Sequence, residues 1–356
     1  MKILISGGLG FIGSRIAKKH LLRGDAVTIV DCLHKQVHQS DSAARDLTEA
    51  GAEVVIGKVE DVSTWNELDE DIEMIYHMAA ETGTGQSMSE VVRYCDANVR
   101  GTAILCEVLA ERPSIGTVVL PSSRAVYGEG LYMCVSHGPF YPQTRSLSAL
   151  EAGDFSIVCT TCGALCDPVP TPESAEFRPA SIYASTKAMQ EWLLTQTVDR
   201  LAKSLRIMRY QNVYGPGQSL HNPYTGVLSI FARKIADGEQ LDIFEDGKML
   251  RDFVYIDDVV ELTIAIAHSP KAGRVTNVGT GQASDMLDVM DALGAAFDRK
   301  VDYHVSGNFR FGDVRNAFAD IGLLESTLGL HSFTSLKTGI GRLVKWLKEQ
   351  REFSSI

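Results

Sequence analysis

No stretch of this chain is apolar for long enough to cross a bilayer. The first apolar run is short, broken by glycine and reads as a strand, so no export signal is expected. Seven cysteines without such a signal read as reduced thiols in a cytoplasmic protein. Positive charge is scarce, with 34 Lys plus Arg against 45 Asp plus Glu and a net charge of −11. So acidic a chain is a poor partner for nucleic acid or an anionic membrane, and any anionic ligand must be met by local positive charge. Internal repeats and low-complexity tracts are also missing. What 356 residues do allow is one large α/β domain with an appended lobe, or two domains, with ample core.

The most informative segment is the first. Lys2 to Ser6 reads as a strand and breaks into Gly7-Gly8-Leu9-Gly10-Phe11-Ile12-Gly13, after which a helical pattern runs from Ser14 to a C-capping Gly24. Gly7 allows a tight turn, Gly10 leaves room for a pyrophosphate at the backbone, and Gly13 lets the helix approach the sheet. The helix N-terminus offers unpaired N–H groups to phosphate. A second apolar strand, Ala26 to Val30, ends in Asp31, placed to accept hydrogen bonds from ribose hydroxyls and to repel a 2′-phosphate. The pattern predicts NAD as the cofactor, with Gly7, Gly10, Phe11, Ile12, Gly13 and Asp31 in contact with it.

Strand and helix signals alternate through the first half, as a doubly wound parallel sheet requires. Further strands are expected at Ala52–Ile56, Met74–Met78 and Thr117–Leu120, and helices near Glu90–Glu111 and Ala184–Lys203. The expected fold class is α/β, a Rossmann-type sheet with a smaller, discontinuous C-terminal substrate lobe. Residues 1–213 would form the first domain, with a cysteine-bearing insertion at about 129–179. Residues 214–356 would mainly form the lobe, with about 252–278 returning to the sheet.

The insertion is rich in Gly, Pro and Cys and has little periodicity. It holds Cys134-x-x-His137 and Cys159-x-x-Cys162, two pairs whose spacing lets both members reach one tetrahedral ion. A structural zinc held by Cys134, His137, Cys159 and Cys162 is the expectation, with Cys166 an alternative ligand and unligated thiols the competing reading.

Tyr183 and Lys187 lie four apart, on one face of a helix. An ammonium and an oxidised nicotinamide nearby both favour phenolate over phenol, making tyrosine a usable base. Ser122-Ser123 follows the strand expected at Thr117–Leu120, at the end where parallel sheets bind ligands.

Together these pieces make the chain resemble the extended short-chain dehydrogenase/reductases, in particular the nucleotide-sugar epimerase/dehydratase family. The resemblance spans nearly the whole length and rests also on His77-Met78-Ala79-Ala80, Asn98 to Thr102, Val126-Tyr127-Gly128, Arg209 to Gly217, Arg251 to Val259 and Asn277 to Gly281. It implies that Tyr183 is the base on a sugar hydroxyl, that Lys187 binds the nicotinamide ribose and tunes Tyr183, that Ser123 hydrogen-bonds the same oxygen and that Asn98 supports the helix. It adds Val59, Met78, Ala79, Ala80 and Tyr210 to the NAD site, and Thr82, Arg124, Asn212, Arg251 and Arg310 to the substrate site. It also implies a homodimer, built from the two helices near Glu90–Glu111 and Ala184–Lys203. The chain departs from the family at Lys58, where an acid commonly meets the adenine.

Within the family, dehydratases carry Asp-Glu after the active-site hydroxyl; here Arg124 and Ala125 stand there and neither can serve as that acid or base. A 4-epimerase is the expected activity. Ala79 to Ser87, Ser122 to Gly130, the cysteine-bearing insertion and Asn222 to Val227 are similar to the dTDP-L-rhamnose 4-epimerases. The alternatives are a UDP-hexose or UDP-hexosamine 4-epimerase, a dehydratase, and more remotely a non-catalytic NAD-sensing protein.

Overall fold

The computed structural model describes residues 1–356 except 39, 221, 223–225, 311 and 355–356, and describes side chains up to 350. Pro223, Tyr224 and Thr225 of the Asn222–Val227 motif, and Phe311 beside Arg310, therefore lie outside the described residues.

Seven strands form one sheet: β1 (Lys2–Ser6), β2 (Ala26–Asp31), β3 (Glu53–Ile56), β4 (Met74–His77), β5 (Thr117–Ser123), β6 (Ser204–Tyr210) and β7 (Val275–Val278). Their order is β7-β6-β5-β4-β1-β2-β3. β1 pairs in parallel with β2 and β4, β2 with β3, and β4 with β5. Ile3, Leu4 and Ile5 are all buried, as a strand covered on both faces requires. The order reverses between β1 and β4, which opens a crevice at the C-terminal ends of those strands.

Helix α1 (Gly13–Leu22) follows β1 with Ile16, Ala17 and His20 buried and Lys18 and Lys19 outward. It stops where Gly24 takes φ +81° and donates its N–H to the Leu21 carbonyl at 3.0 Å. The expected helix near Glu90–Glu111 is not uniform. Val91–Tyr94 is α-helical, Cys95–Arg100 winds as a π-helix, and α2 (Gly101–Glu111) resumes the α pitch. A π turn takes one residue more than an α turn, so apolar spacing read at 3.6 residues per turn breaks there without identifying the cause; such turns occur often at functional sites. Helix α3 (Ile182–Leu201) starts at a Ser181 cap, whose Oγ accepts the Ala184 N–H at 3.2 Å.

The chain divides into two compact units. One comprises 1–123, 181–209 and 260–276, and contains most of this sheet; the other comprises 124–180, 210–259 and 277–356. In the second, Asn212–Tyr214 pairs in parallel with Phe253–Tyr255. The insertion carries a small antiparallel sheet of its own. Leu131–Cys134 runs between Gly138–Phe140 and Asp167–Val169. Strands of three or four residues are too short to show alternation, which is why the sequence reads there as unpatterned. Tyr132 is fully buried, and its hydroxyl oxygen accepts from Asn316 Nδ2 at 2.8 Å.

Candidate functional site

The glycine loop leaves β1 and closes on itself. Gly7 has φ +68°, and a Cβ there would lie 2.7 Å from the Ala79 nitrogen. A Cβ on Gly13 would strike the Gly7 carbonyl oxygen, so α1 can only begin this close to the turn with glycine. Ile12, the residue before α1, supplies no capping side chain; in the first turn the Ser14 N–H donates to Gly10 O at 3.0 Å and the Arg15 N–H to Ile12 O at 3.1 Å. Asp31 is buried; its Oδ2 accepts the Leu9 N–H at 3.0 Å and its Oδ1 accepts the Leu33 N–H at 2.9 Å. The acid thus fixes the loop on one side, and His38 Nε2 stands 3.4 Å from its Oδ1. Met78 and Ala79 follow β4, with the Met78 N–H donated to Ser6 O at 2.9 Å. Val59 is buried beneath Gly101 and its carbonyl accepts from Trp65 Nε1 at 2.9 Å. Lys58 is exposed and stands 3.6 Å from Glu60. A cradle with no room for side chains and a carboxylate closing the second strand fits a bound NAD.

Tyr183 and Lys187 occupy the first turns of α3. The Tyr183 N–H donates to Ser87 Oγ at 3.0 Å, and its ring meets Tyr94 edge to face at 6.5 Å. Asn98 lies in the π turn, buried, and grips two segments at once. Its Oδ1 accepts the Glu81 N–H at 2.8 Å, while its Nδ2 donates to Glu81 O at 3.0 Å and to Thr186 Oγ1 at 2.9 Å. This clamps the backbone beside Thr82 against the helix that carries Tyr183 and Lys187. Thr82 is exposed and its carbonyl accepts the Tyr94 hydroxyl.

Lys187 is buried, and burial pulls its ammonium down to about 7. Its Nζ donates to Gln190 Oε1 at 2.7 Å, and Gln190 Nε2 donates to Thr102 Oγ1 at 2.7 Å. Thr102 Oγ1 lies 3.1 Å from His77 Nε2, and His77 Nδ1 lies 2.9 Å from Ser6 Oγ. A buried polar chain therefore links the lysine to the last residue before the glycine loop. At the end of β5, Ser122 Oγ donates to Glu191 Oε1, and Arg209 grips the same carboxylate through Nε at 3.0 Å and Nη2 at 2.8 Å. That pairing ties the strand end bearing Ser123 to α3. Motif reading passes over Gln190, Glu191 and Thr186; their only sequence signal is polarity at buried helix positions.

The second unit holds the residues expected at the nucleotide. Arg124 starts a short 3₁₀ turn after Ser123, half-buried, and Tyr210 is the buried last residue of β6. Asn212 donates its N–H to Asp252 O at 2.9 Å, while its buried Oδ1 has no hydrogen-bond partner among the described residues. Arg251 is occupied by backbone: Nη1 donates to Leu250 O and Arg315 O at 2.8 and 3.0 Å, and Nη2 to Val314 O at 2.8 Å. Desolvation lowers its guanidinium from the usual range. Arg310 is exposed and stacks over Phe244, 5.0 Å from the ring centroid. A cavity of about 230 Å³ is lined in part by Glu129, Pro142, Thr144, Arg178 and Asp313. Behind it lies a charge network that sequence reading missed. Arg145 stands 3.5 Å from Glu129 and 2.8 Å from Glu245, and Arg315 bonds Glu245 and Asp246 at 2.8 and 2.6 Å. Cys134, His137, Cys159 and Cys162 come together in the insertion with their ligand atoms within 4.8 Å of one another. Cys166 instead directs its thiol at the Ala164 carbonyl, 3.3 Å away.

Known proteins resemble this chain over nearly its whole length. The description "NAD dependent epimerase/dehydratase family" matches residues 3–145 and 155–279. The dTDP-L-rhamnose 4-epimerase of Burkholderia thailandensis is 38% identical over 354 residues, covering 98% of this chain and 95% of that protein. The crystal structure of UDP-glucose 4-epimerase with UDP-glucose from Thermotoga maritima superposes with a TM-score of 0.79 at 26% identity, covering 99% and 100% of the two chains. The UDP-glucuronic acid 4-epimerase of Bacillus cereus, in complex with UDP-glucuronic acid and NAD, shares the fold with a TM-score of 0.80 at 23% identity, covering 98% and 100%. No helix among the described residues is long and apolar enough to cross a membrane.

Proposed function

The chain belongs to the NAD-dependent epimerase/dehydratase family and is an isomerase, and we propose that it inverts C4 of a nucleotide-linked sugar, with dTDP-L-rhamnose converted to dTDP-6-deoxy-L-talose. The observation that carries the reaction type is the start of α3, where Tyr183 and a buried Lys187 stand one turn apart, secured by Ser87 and Asn98. The choice of sugar rests on the 38% identity to the Burkholderia thailandensis enzyme over almost the whole chain.

NAD, held by the Gly7–Gly13 loop, Asp31, Val59, Met78, Ala79, Ala80 and Tyr210, would supply a reversible hydride acceptor. Tyr183 takes the proton from the C4 hydroxyl as the carbonyl forms and returns it when the alcohol is restored. The Lys187 ammonium favours the phenolate form of Tyr183 and contacts the nicotinamide ribose. Ser123 Oγ donates to the same sugar oxygen and stabilises charge developing there. Thr82 and Arg124 contact the sugar. Asn212 and Arg310 meet the nucleotide diphosphate, an arginine fork suiting phosphate oxygens. Arg251, whose terminal nitrogens are committed to carbonyls, supports that role by fixing the 314–315 backbone. Neither Arg124 nor Ala125 can eliminate water, which favours epimerisation over dehydration.

Met88, Val92, Met189 and Trp192 leave large apolar side chains exposed around α3 and the segment before the π turn. Such a face suits a homodimer of the chain. Light scattering should report twice the protomer mass; a monomer at working concentration refutes the dimer.

The substrate is tested by incubating the purified protein with dTDP-L-rhamnose, UDP-glucose, UDP-N-acetylglucosamine and UDP-glucuronic acid and resolving the products. Conversion of dTDP-L-rhamnose alone supports the proposal. Turnover of a UDP-sugar with dTDP-L-rhamnose inert overturns the substrate, and a dehydrated product overturns the reaction.

A further inference from the structure

The insertion contains two turns built alike. In the first, Leu131–Cys134 and Gly138–Phe140 form a hairpin in which Cys134 faces Gly138, so Cys134 and His137 flank its tip. In the second, Val158 bridges Leu165 in antiparallel fashion, the Cys159 N–H donates to Ala164 O at 2.8 Å, and the Gly163 N–H donates to Cys159 O at 2.8 Å. Each turn therefore reads Cys-x-x-ligand-Gly, and each glycine is left-handed, Gly138 at φ +76° and Gly163 at φ +72°. That conformation lets the chain double back so that N–H groups aim at the first sulfur. Those of Ser136 and His137 bond Cys134 Sγ, and those of Thr161 and Cys162 bond Cys159 Sγ. Backbone donors converging on sulfur suit a thiolate far better than a thiol.

The spacing of the four ligand atoms is more specific still. On a tetrahedron with metal–sulfur bonds of about 2.3 Å and a metal–nitrogen bond of about 2.05 Å, sulfurs stand about 3.8 Å apart and sulfur stands about 3.55 Å from nitrogen. Cys134 Sγ lies 3.8 Å from Cys162 Sγ. His137 Nδ1 lies 3.5 Å from Cys134 Sγ and 3.6 Å from Cys159 Sγ. All seven cysteines are free, so the three sulfurs are not drawn together by a disulfide.

From this geometry we infer that Cys134, Cys159, Cys162 and Nδ1 of His137 form a tetrahedral zinc site that pins the two turns together. Three thiolates and one imidazole leave no open position, so the ion is structural. It acts where the insertion has little other support, since Val135 and Leu165 at the two turns are exposed. The strand that leaves the first turn runs straight into Pro142–Thr144, which wall the 230 Å³ cavity, and into Arg145, which ion-pairs with Glu129 and Glu245. The zinc therefore holds one wall of that cavity in register. Nothing in this inference depends on which sugar the enzyme takes.

The test is a metal count on the full-length protein purified without chelator, with cobalt substitution as a second readout. About one equivalent of zinc per chain is expected, falling to a small fraction in Cys159→Ser and unchanged in Cys166→Ser and Cys32→Ser. Wild-type protein loaded with Co(II) should show the intense visible bands of a tetrahedral ion and thiolate-to-cobalt charge transfer, both lost in Cys159→Ser. Zinc well below one equivalent together with no such cobalt spectrum overturns the site. So does a full zinc complement that survives Cys159→Ser, or iron in place of zinc. If Cys159→Ser does not fold, the wild-type count and cobalt spectrum decide alone.

Discussion

Thr102 decides the tautomer of His77. The Thr102 hydroxyl donates to the Asn98 carbonyl at 2.6 Å, so its one proton is used and it can only accept from its other neighbours. His77 Nε2, 3.1 Å away, must therefore carry a proton, which leaves Nδ1 bare to accept from Ser6 Oγ at 2.9 Å. Burial holds the imidazole neutral, with its pKa down at about 3, and the nearby Lys187 charge acts in the same direction. Every partner in the chain from Lys187 to Ser6 thus has a fixed polarity.

Removing the Thr102 hydroxyl should break that order. Thr102→Val leaves the Gln190 amide and the His77 Nε2–H without an acceptor in a buried site. The expected loss is about 2–6 kcal/mol, since each unpaired buried donor costs about 1–3 kcal/mol. Thr102→Ser keeps the acceptor and should lose only about 1 kcal/mol for the missing methyl. Equal losses in denaturant unfolding of the two variants would contradict the assigned polarity.

Tyr183→Phe deletes the proposed proton acceptor and keeps the residue's N–H bond to Ser87, which is main-chain. Turnover should fall about 10²–10⁴-fold with nucleotide-sugar affinity nearly unchanged. Near-normal turnover would remove Tyr183 from the reaction.

Lys187 titrates in the folded protein at about 7, against about 10.4 in the unfolded chain. Below the lower value both states hold the proton. Between the two only the unfolded state does, so this group makes the fold more stable as pH rises through that window, by at most about 1.4 kcal/mol per pH unit. In the NAD-free protein, Lys187→Met should flatten the rise in unfolding free energy between pH 7 and about 10. Parallel pH profiles for wild type and variant would show that the lysine is not desolvated in this way.

Asp31 should set both cofactor choice and loop order. NADP should replace NAD poorly, and Asp31→Ala should weaken NAD binding about 10–100-fold, the range for lost hydrogen bonds to a charged group. Because the hydride returns, NAD should be needed only in catalytic amounts, and the C4 hydrogen should stay on the sugar in deuterated solvent. A stoichiometric demand for NADH or NADPH would identify a reductase, and deuterium at C3 or C5 an enolising mechanism.

The parts of this protein that were legible in sequence are those whose meaning is carried by near neighbours. A turn between strand and helix needs glycine at Gly7 and Gly13 wherever the rest of the chain goes. The spacing of Tyr183 and Lys187 means one helix face once the segment is helical. The two cysteine-bearing pairs are likewise local, each closed within a single turn. What tertiary structure alone decided is how such pieces meet. Periodicity could not identify the π turn that brings Asn98 to Thr186, because one extra residue rotates the hydrophobic stripe by about 100° and so only breaks the α-helical pattern. No motif marks Gln190 or Thr102 as partners of Lys187 and His77: Gln190 stands three residues from Lys187, but the Thr102 hydroxyl that joins Gln190 to His77 comes from far along the chain. Arg251 looks like any phosphate-binding arginine until the carbonyls of Val314 and Arg315 are found at its guanidinium. And whether two chelating pairs, more than twenty residues apart, share one tetrahedron is a matter of ångströms. Residue type and spacing determine what a segment can do. Only packing, which satisfies each buried donor with an acceptor from elsewhere in the chain, determines what it does.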